Sequence, residues 1–319
     1  PAGLIEALVR RLDDAHPGVI QASLESLTRL IDAELATVDR SALDRAIALA
    51  EHVSPLVRNE AVAALAVFCP NVEHPQREAL VLGALEDPDP AVRRTAIAAC
   101  GDLELTAARA ALKTKLGESS LRFEAAFALA SLGDSSARAS LEAGLQTSKT
   151  RLDALEGLRR LGDREAVAAV RSIADSWLTS WADRLSAWAT LHVLGVEEAS
   201  EKLVKRISSR RMEERVYAMY LVGKYRVQAG RETIDAIANN TSDRDRETAL
   251  DALGGFADDS AATVLVRVAE DVDETKSARI TAASALTRIS VASATEAISR
   301  LQRDPDPAIR EAVRTSASL

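Results

Sequence analysis

The sequence predicts an all-α chain, an α-solenoid of about ten stacked helix pairs. Three observations carry this. A pattern of turn, capping residues and helix recurs about every 31 residues. Within each repeat the apolar residues fall at helical spacing, with no strand-like alternation. Apolar residues make up 47% of the chain but aromatics only 3%, so the core must be built of Ala, Leu, Val and Ile between closely packed helices. At 319 residues the chain is too long for an ordinary single core and natural for an array.

The template is Asp87-Pro88-Asp89-Pro90-Ala91-Val92-Arg93-Arg94-Thr95-Ala96-Ile97-Ala98-Ala99-Cys100-Gly101. Two prolines and two Asp residues able to cap precede apolar residues at helical spacing, then a Gly that reads as the stop. With Arg93 at position zero, Arg58, Arg122, Arg151, Arg184, Arg215, Arg246, Arg279 and Arg310 line up, at intervals of 29 to 35 residues. Three positions on come Ala61, Ala96, Ala125, Ala154, Ala187, Ala218, Ala249 and Ala282, with Val313 as the exception. Seven positions on come Leu65, Cys100, Leu129, Leu158, Leu191, Val222, Leu253 and Leu286. Positions 0, +3, +4, +7 and +10 share one helix face, which predicts a buried stripe. The small residue at +3 marks a close approach of two helices.

A second helical stretch precedes each of these, as over 76–85, 107–116, 135–145 and 164–174. Gly133-Asp134 and Gly162-Asp163 separate units, a helix stop followed by an N-cap. Each unit is thus helix A, a turn, and a helix B that carries the Arg. The first unit, residues 4–31, has Ile20 in the Arg position. No flexible linker interrupts the pattern, so 1–319 reads as one continuous array. The start at Pro1-Ala2 fits either a processed terminus or a cut from a longer protein.

The motifs Asp87-Pro88-Asp89-Pro90-Ala91-Val92-Arg93 and Asp304-Pro305-Asp306-Pro307-Ala308-Ile309-Arg310 resemble the HEAT-repeat family, in the short form found in phycobilisome-lyase-type proteins. The resemblance spans essentially the whole chain. It implies a right-handed superhelix with B helices on the concave side, and a ladder of hydrogen bonds between turn Asp and helix B Arg. An Asp stands six residues before the Arg as Asp87, Asp273 and Asp304; elsewhere the position holds His52, Leu116, Leu145, Leu178, Ser209 or Asn240. By this resemblance the nine Arg residues are structural rather than a track of cations for phosphate.

A net charge of −8 disfavours a nucleic-acid backbone as partner. Two cysteines and no secretory leader predict a reducing, cytoplasmic setting, and the longest apolar runs fall short of a membrane span. With each residue turning about 100°, positions +2 and +5 lie opposite the buried stripe. They hold Glu60, Thr95, Glu124, Asp153, Ser186, Tyr217, Thr248 and Thr281, then Ala63, Ala98, Phe127, Glu156, Ala189, Tyr220, Asp251 and Ser284. This strip is small, mildly acidic and punctuated by Phe127, Tyr217 and Tyr220, which suits a protein or peptide interface. The competing reading has those rings fold over neighbouring helices.

All Trp and Tyr lie between 177 and 225. Trp188, at +4, is expected in the core, and Trp181 stands where Pro55, Pro90 and Pro307 begin other helices. Trp177, in a turn at the rim, is a contact candidate that packs equally well against the adjacent turn. Lys202, Lys205, Arg206, Arg210 and Arg211 form a basic edge, read first as a solvated face.

Catalysis finds little support. His16, His52, His74 and His192 are scattered over different repeats, and only His74 has a companion, Cys69, for metal binding, where zinc needs four ligands. Cys100 reads as a core thiol. No phosphate loop, nucleophile elbow or zinc-protease helix is present. The expectation is a non-catalytic scaffold or adaptor without cofactor or metal. Its contacts would be Phe127, Tyr217, Tyr220 and Trp177, with Glu124, Asp153 and Glu156 favouring a basic partner segment. The resemblance implies a rival, a lyase or isomerase subunit acting on a bilin-bearing protein. A HEAT-like nucleic-acid binder is a third reading, disfavoured by the acidic charge.

Overall fold

Each helix of the Arg register starts at the turn that the sequence marks. The computed structural model describes residues 2–33, 36–68 and 74–314, and among them every regular element is helical. The chain divides into two units, Pro1–Asp163 and Arg164–Leu319. The first holds the pairs α1 (Ala2–Arg11) and α2 (Pro17–Asp32), α3 (Arg40–Leu49) and α4 (Pro55–Val67), α5 (Arg77–Ala84) and α6 (Pro90–Asp102), α7 (Arg109–Lys115) and α8 (Arg122–Ser131), and α9 (Arg138–Gly144) and α10 (Arg151–Leu161). The second holds α11 (Val167–Ala174) and α12 (Trp181–Val193), α13 (Glu197–Val204) and α14 (Met212–Lys224), α15 (Arg231–Asn239) and α16 (Arg246–Phe256), α17 (Asp259–Glu270) and α18 (Lys276–Leu286), and α19 (Ala292–Leu301) and α20 (Pro307–Ala312). No described helix is long and apolar enough to cross a membrane.

Local chemistry sets the boundaries. Pro17, Pro55, Pro90 and Pro307 occupy the first turn of their helices, where a missing N–H costs nothing. Asp89 and Asp306 cap α6 and α20 by accepting from the N–H of Ala91 and Ala308, both at 2.8 Å. In α12, Trp181 replaces the proline and Ser180 Oγ takes over the cap, accepting from the Asp183 N–H. Gly162 ends α10 with φ 65°, in the left-handed region that favours glycine.

Packing follows the register. Within the first unit α2, α4, α6, α8 and α10 lie side by side in chain order, and within the second α12, α14, α16, α18 and α20 do the same. Every residue of the +3 column, from Ala61 to Val313, is fully buried. A methyl group there lets neighbouring B helices close in, and in places even a methyl is too large. A Cβ on Gly223 would stand 2.8 Å from Ala252 Cα. Gly101 is a second such position, 3.0 Å from Ala128 Cα by the same measure. It therefore does not stop its helix: α6 runs on through it to Asp102.

Candidate functional site

The Arg stripe faces the next turn. Arg58 grips Asp87 with two parallel bonds, Nε to Oδ2 at 2.8 Å and Nη2 to Oδ1 at 2.9 Å. Arg215 does the same with Asp245, at 2.6 and 3.2 Å. Arg246 binds Glu274 at 2.7 and 2.5 Å, and Arg279 binds Asp304 at 2.5 Å. Each joins one repeat to the following one. Asp273 is not the carboxylate that meets Arg246; its neighbour Glu274 is, because the turn carries the longer side chain toward the guanidinium while Asp273 faces solvent.

The Arg also closes its own turn, and Arg58 and Arg215 do so while binding their acids, donating to the carbonyls of His52 and Val53 and of Ser209 and Arg210. Arg93 donates to the Asp87 and Pro88 carbonyls, Arg122 to Leu116, Arg151 to Leu145, and Arg310 to Asp304 and Pro305. Arg184 has a buried Nε without a hydrogen-bond partner among the described residues. A second series of bonds, between A helices and the next repeat's Asp, escaped the sequence reading. Lys113 meets Asp134 at 2.8 Å, Arg138 meets Asp163 at 2.6 Å, and Arg231 meets Asp258 at 2.7 Å. The Gly-Asp dipeptides at 133–134 and 162–163 were the visible sign of two of the three.

An open groove of about 810 Å³ lies across α14, α16 and α18. Its walls come from the +2 and +5 positions: Tyr217 and Tyr220, Thr248 and Asp251, Thr281 and Ser284. Met212, Val216 and Ile280 add apolar surface, and Glu213 and Glu247 add carboxylates. Tyr217 and Tyr220 stack with centroids 6.0 Å apart and planes 15° apart, and Trp181 meets Tyr217 edge-on at 6.1 Å. The ring of Tyr220 is exposed, with Lys224 5.6 Å from its centroid. The arrangement offers flat aromatic surface beside carboxylates, suited to binding rather than to covalent chemistry.

A family model described as HEAT repeats matches residues 43–120 and 77–152. Residues 43–152 carry HEAT repeats. No curated protein shows significant sequence similarity to it. Among solved structures it is similar to the complex of CpcE and CpcF of phycocyanin lyase from Nostoc sp. PCC7120, at 18% identity and a TM-score of 0.45, over 76% of this chain and 94% of that one. It is also similar to importin beta, at 12% identity and a TM-score of 0.43, over 99% of this chain and 52% of that one. Human deoxyhypusine hydroxylase matches at 16% identity and a TM-score of 0.33, over 92% and 96%.

The repeat register places the predicted contacts in different surroundings. Phe127, in the first unit, lies half-buried under the Arg160 guanidinium, 4.9 Å from its ring centroid. Glu124 pairs with Arg94 at 3.1 Å, and Glu156 with Arg159 at 2.8 Å and Arg160 at 3.2 Å. Asp153 is exposed. In the second unit Ser186 and Ala189 are buried rather than open, and the Tyr217 hydroxyl meets Ser186 Oγ at 2.6 Å. Trp188 is a core residue, with Arg206 over its ring. Trp177 is 83% exposed in the turn after α11 and lines no part of the groove. On the basic edge, Lys202 pairs with Asp175, and Arg206 and Arg211 with Glu214.

The histidines serve local structure. His16, His52 and His74 each accept, through Nδ1, an N–H two residues on. His192 shares a bond with Ser200 at 2.7 Å, and burial lowers its pKa. Burial pushes the Cys100 thiol up to about 12, which leaves it unreactive. Cys69 lies outside the described residues. Among those residues no group of His, Cys, Asp and Glu is arranged to hold a metal.

Proposed function

We propose that this chain is a non-catalytic protein-binding scaffold of the α-solenoid type. In this reading an extended segment of a partner protein docks in the groove across α14, α16 and α18. The observation that carries it is the groove itself, where stacked tyrosines and apolar side chains stand open beside carboxylates. Most aromatic and apolar surface elsewhere in the repeats is spent on packing, so a cluster left open across three neighbouring helices is costly unless it is covered in use. A preformed face on stacked repeats loses little entropy when a segment binds along it. The reading includes a reducing, cytoplasmic setting, in keeping with the free, buried thiol of Cys100.

A random dodecapeptide display library selected on the whole chain tests this. Retained peptides should lose about tenfold or more in affinity against Tyr220→Ala, measured by fluorescence anisotropy, while the variant melts as the parent does. Peptides that bind the parent and Tyr220→Ala equally would place docking elsewhere and overturn the proposal.

A further inference from the structure

Four of the carboxylates on the B-helix strip are already paired or isolated. Glu124 and Glu156 are held by arginines of their own unit, Asp153 lies away from any aromatic cluster, and Asp251 is held by Arg288 at 2.6 Å. Glu213 and Glu247 differ. Both are exposed, both line the groove, and neither makes a hydrogen bond or ion pair among the described residues. No Lys, Arg or His lines the groove itself; at its wall Lys224 lies 5.6 Å from the Tyr220 ring centroid and Arg288 is bonded to Asp251. The stacked rings of Tyr217 and Tyr220 add the negative potential of their faces. Charge and shape therefore ask for one kind of occupant, a flat cation flanked by apolar groups.

We infer that the groove recognises arginine in the docked segment, with Glu213 and Glu247 as the pairing carboxylates and the tyrosine pair as the stacking surface. The inference rests on the docking reading above and specifies its chemistry. A guanidinium stacks on a ring and donates in-plane bonds to a carboxylate at the same time, which a lysine ammonium does not. Met212, Val216 and Ile280 would then receive the apolar neighbours of that arginine.

The probes are three fluorescein-labelled nonapeptides that share their leucines and alternate them with arginine, lysine or citrulline, the last an uncharged isostere. Anisotropy titrations of the intact chain should rank arginine at least about tenfold tighter than citrulline, with lysine between. In the Glu213→Gln, Glu247→Gln double variant the arginine peptide should fall to within about threefold of citrulline, with the melt unchanged. Equal binding of arginine and citrulline peptides, both lost in Tyr220→Ala, would overturn the inference and leave the docking reading standing. An arginine preference that persists in the double variant would overturn it too, since the cation would then be held elsewhere. Absence of binding by all three, with no peptide retained from the library, would remove both.

Discussion

The Tyr217 hydroxyl meets Ser186 Oγ at 2.6 Å, tying α14 to α12 across one repeat, while the ring of the same residue lines the groove. Tyr217 is thus partly an anchor. Tyr220 is stacked on it, exposed, and free of any such tie. Replacing Tyr217 by Phe leaves the buried Ser186 hydroxyl short of a partner and should cost about 1 kcal/mol. Tyr220→Ala should change stability by no more than about 0.5 kcal/mol. Thermal melts of the two variants give the answer, and equal losses would show that the Tyr220 ring holds the fold as much as the Tyr217 hydroxyl does.

The bidentate Arg58–Asp87 pair is mostly shielded, with side chains 15% and 10% exposed. A double-mutant cycle with Arg58→Ala and Asp87→Ala should return a coupling of about 1–2 kcal/mol. The Lys202–Asp175 pair, 43% and 49% exposed, should return less than about 0.5 kcal/mol. Equal couplings would mean that the shielded pair joins its repeats no more strongly than an exposed one.

Gly223 and Gly83 both sit in helices, yet a Cβ meets backbone at the first and open space at the second. Gly223→Ala should separate α14 from α16 and cost about 3 kcal/mol, as overpacking does. Gly83→Ala should stabilise by about 0.5–1 kcal/mol through helix propensity alone. Chemical denaturation of the pair separates the effects, and a neutral Gly223→Ala would refute the close approach.

Acid should weaken the fold in a defined window. Hydrogen bonds from Arg58 and Arg246 hold Asp87 and Glu274 below their ordinary values of 3.8 and 4.5, and Lys113 holds Asp134 down at about 2. The unfolded chain therefore takes up protons first, and the stability of these pairs, full above about pH 4.5, drains away toward about pH 2. Desolvation raises the carboxyls of Glu60 and Asp102, which return part of that loss. His192, lowered by burial from 6.5, starts a smaller decline earlier. Urea midpoints against pH should show this, with Asp134→Asn flattening the most acid part. A midpoint that rises on acidification would contradict it.

The fold was legible because its period is set by helix contacts, and those demand the same residue sizes at the same places. The Ala column at +3 could be counted before any coordinate was known, and it lies buried throughout. Groove positions followed from the same arithmetic at +2 and +5. What stayed hidden was the state of each strip residue. That Arg94 would claim Glu124, or that the Tyr217 hydroxyl would reach Ser186, depends on side chains reaching across repeats. No helical wheel records such reach.

The carboxylate that meets the Arg also wanders along the turn. It stands six residues before the next Arg as Asp87 and Asp304, five before it as Glu274, and immediately before it as Asp245. The joint is specified by an address in space and not by a column of an alignment. Turns of unequal length can all satisfy it, which suits repeats spaced 29 to 35 residues apart. Insertions and deletions in these turns should accordingly be forgiven over evolutionary time, so long as one acid still reaches the waiting guanidinium.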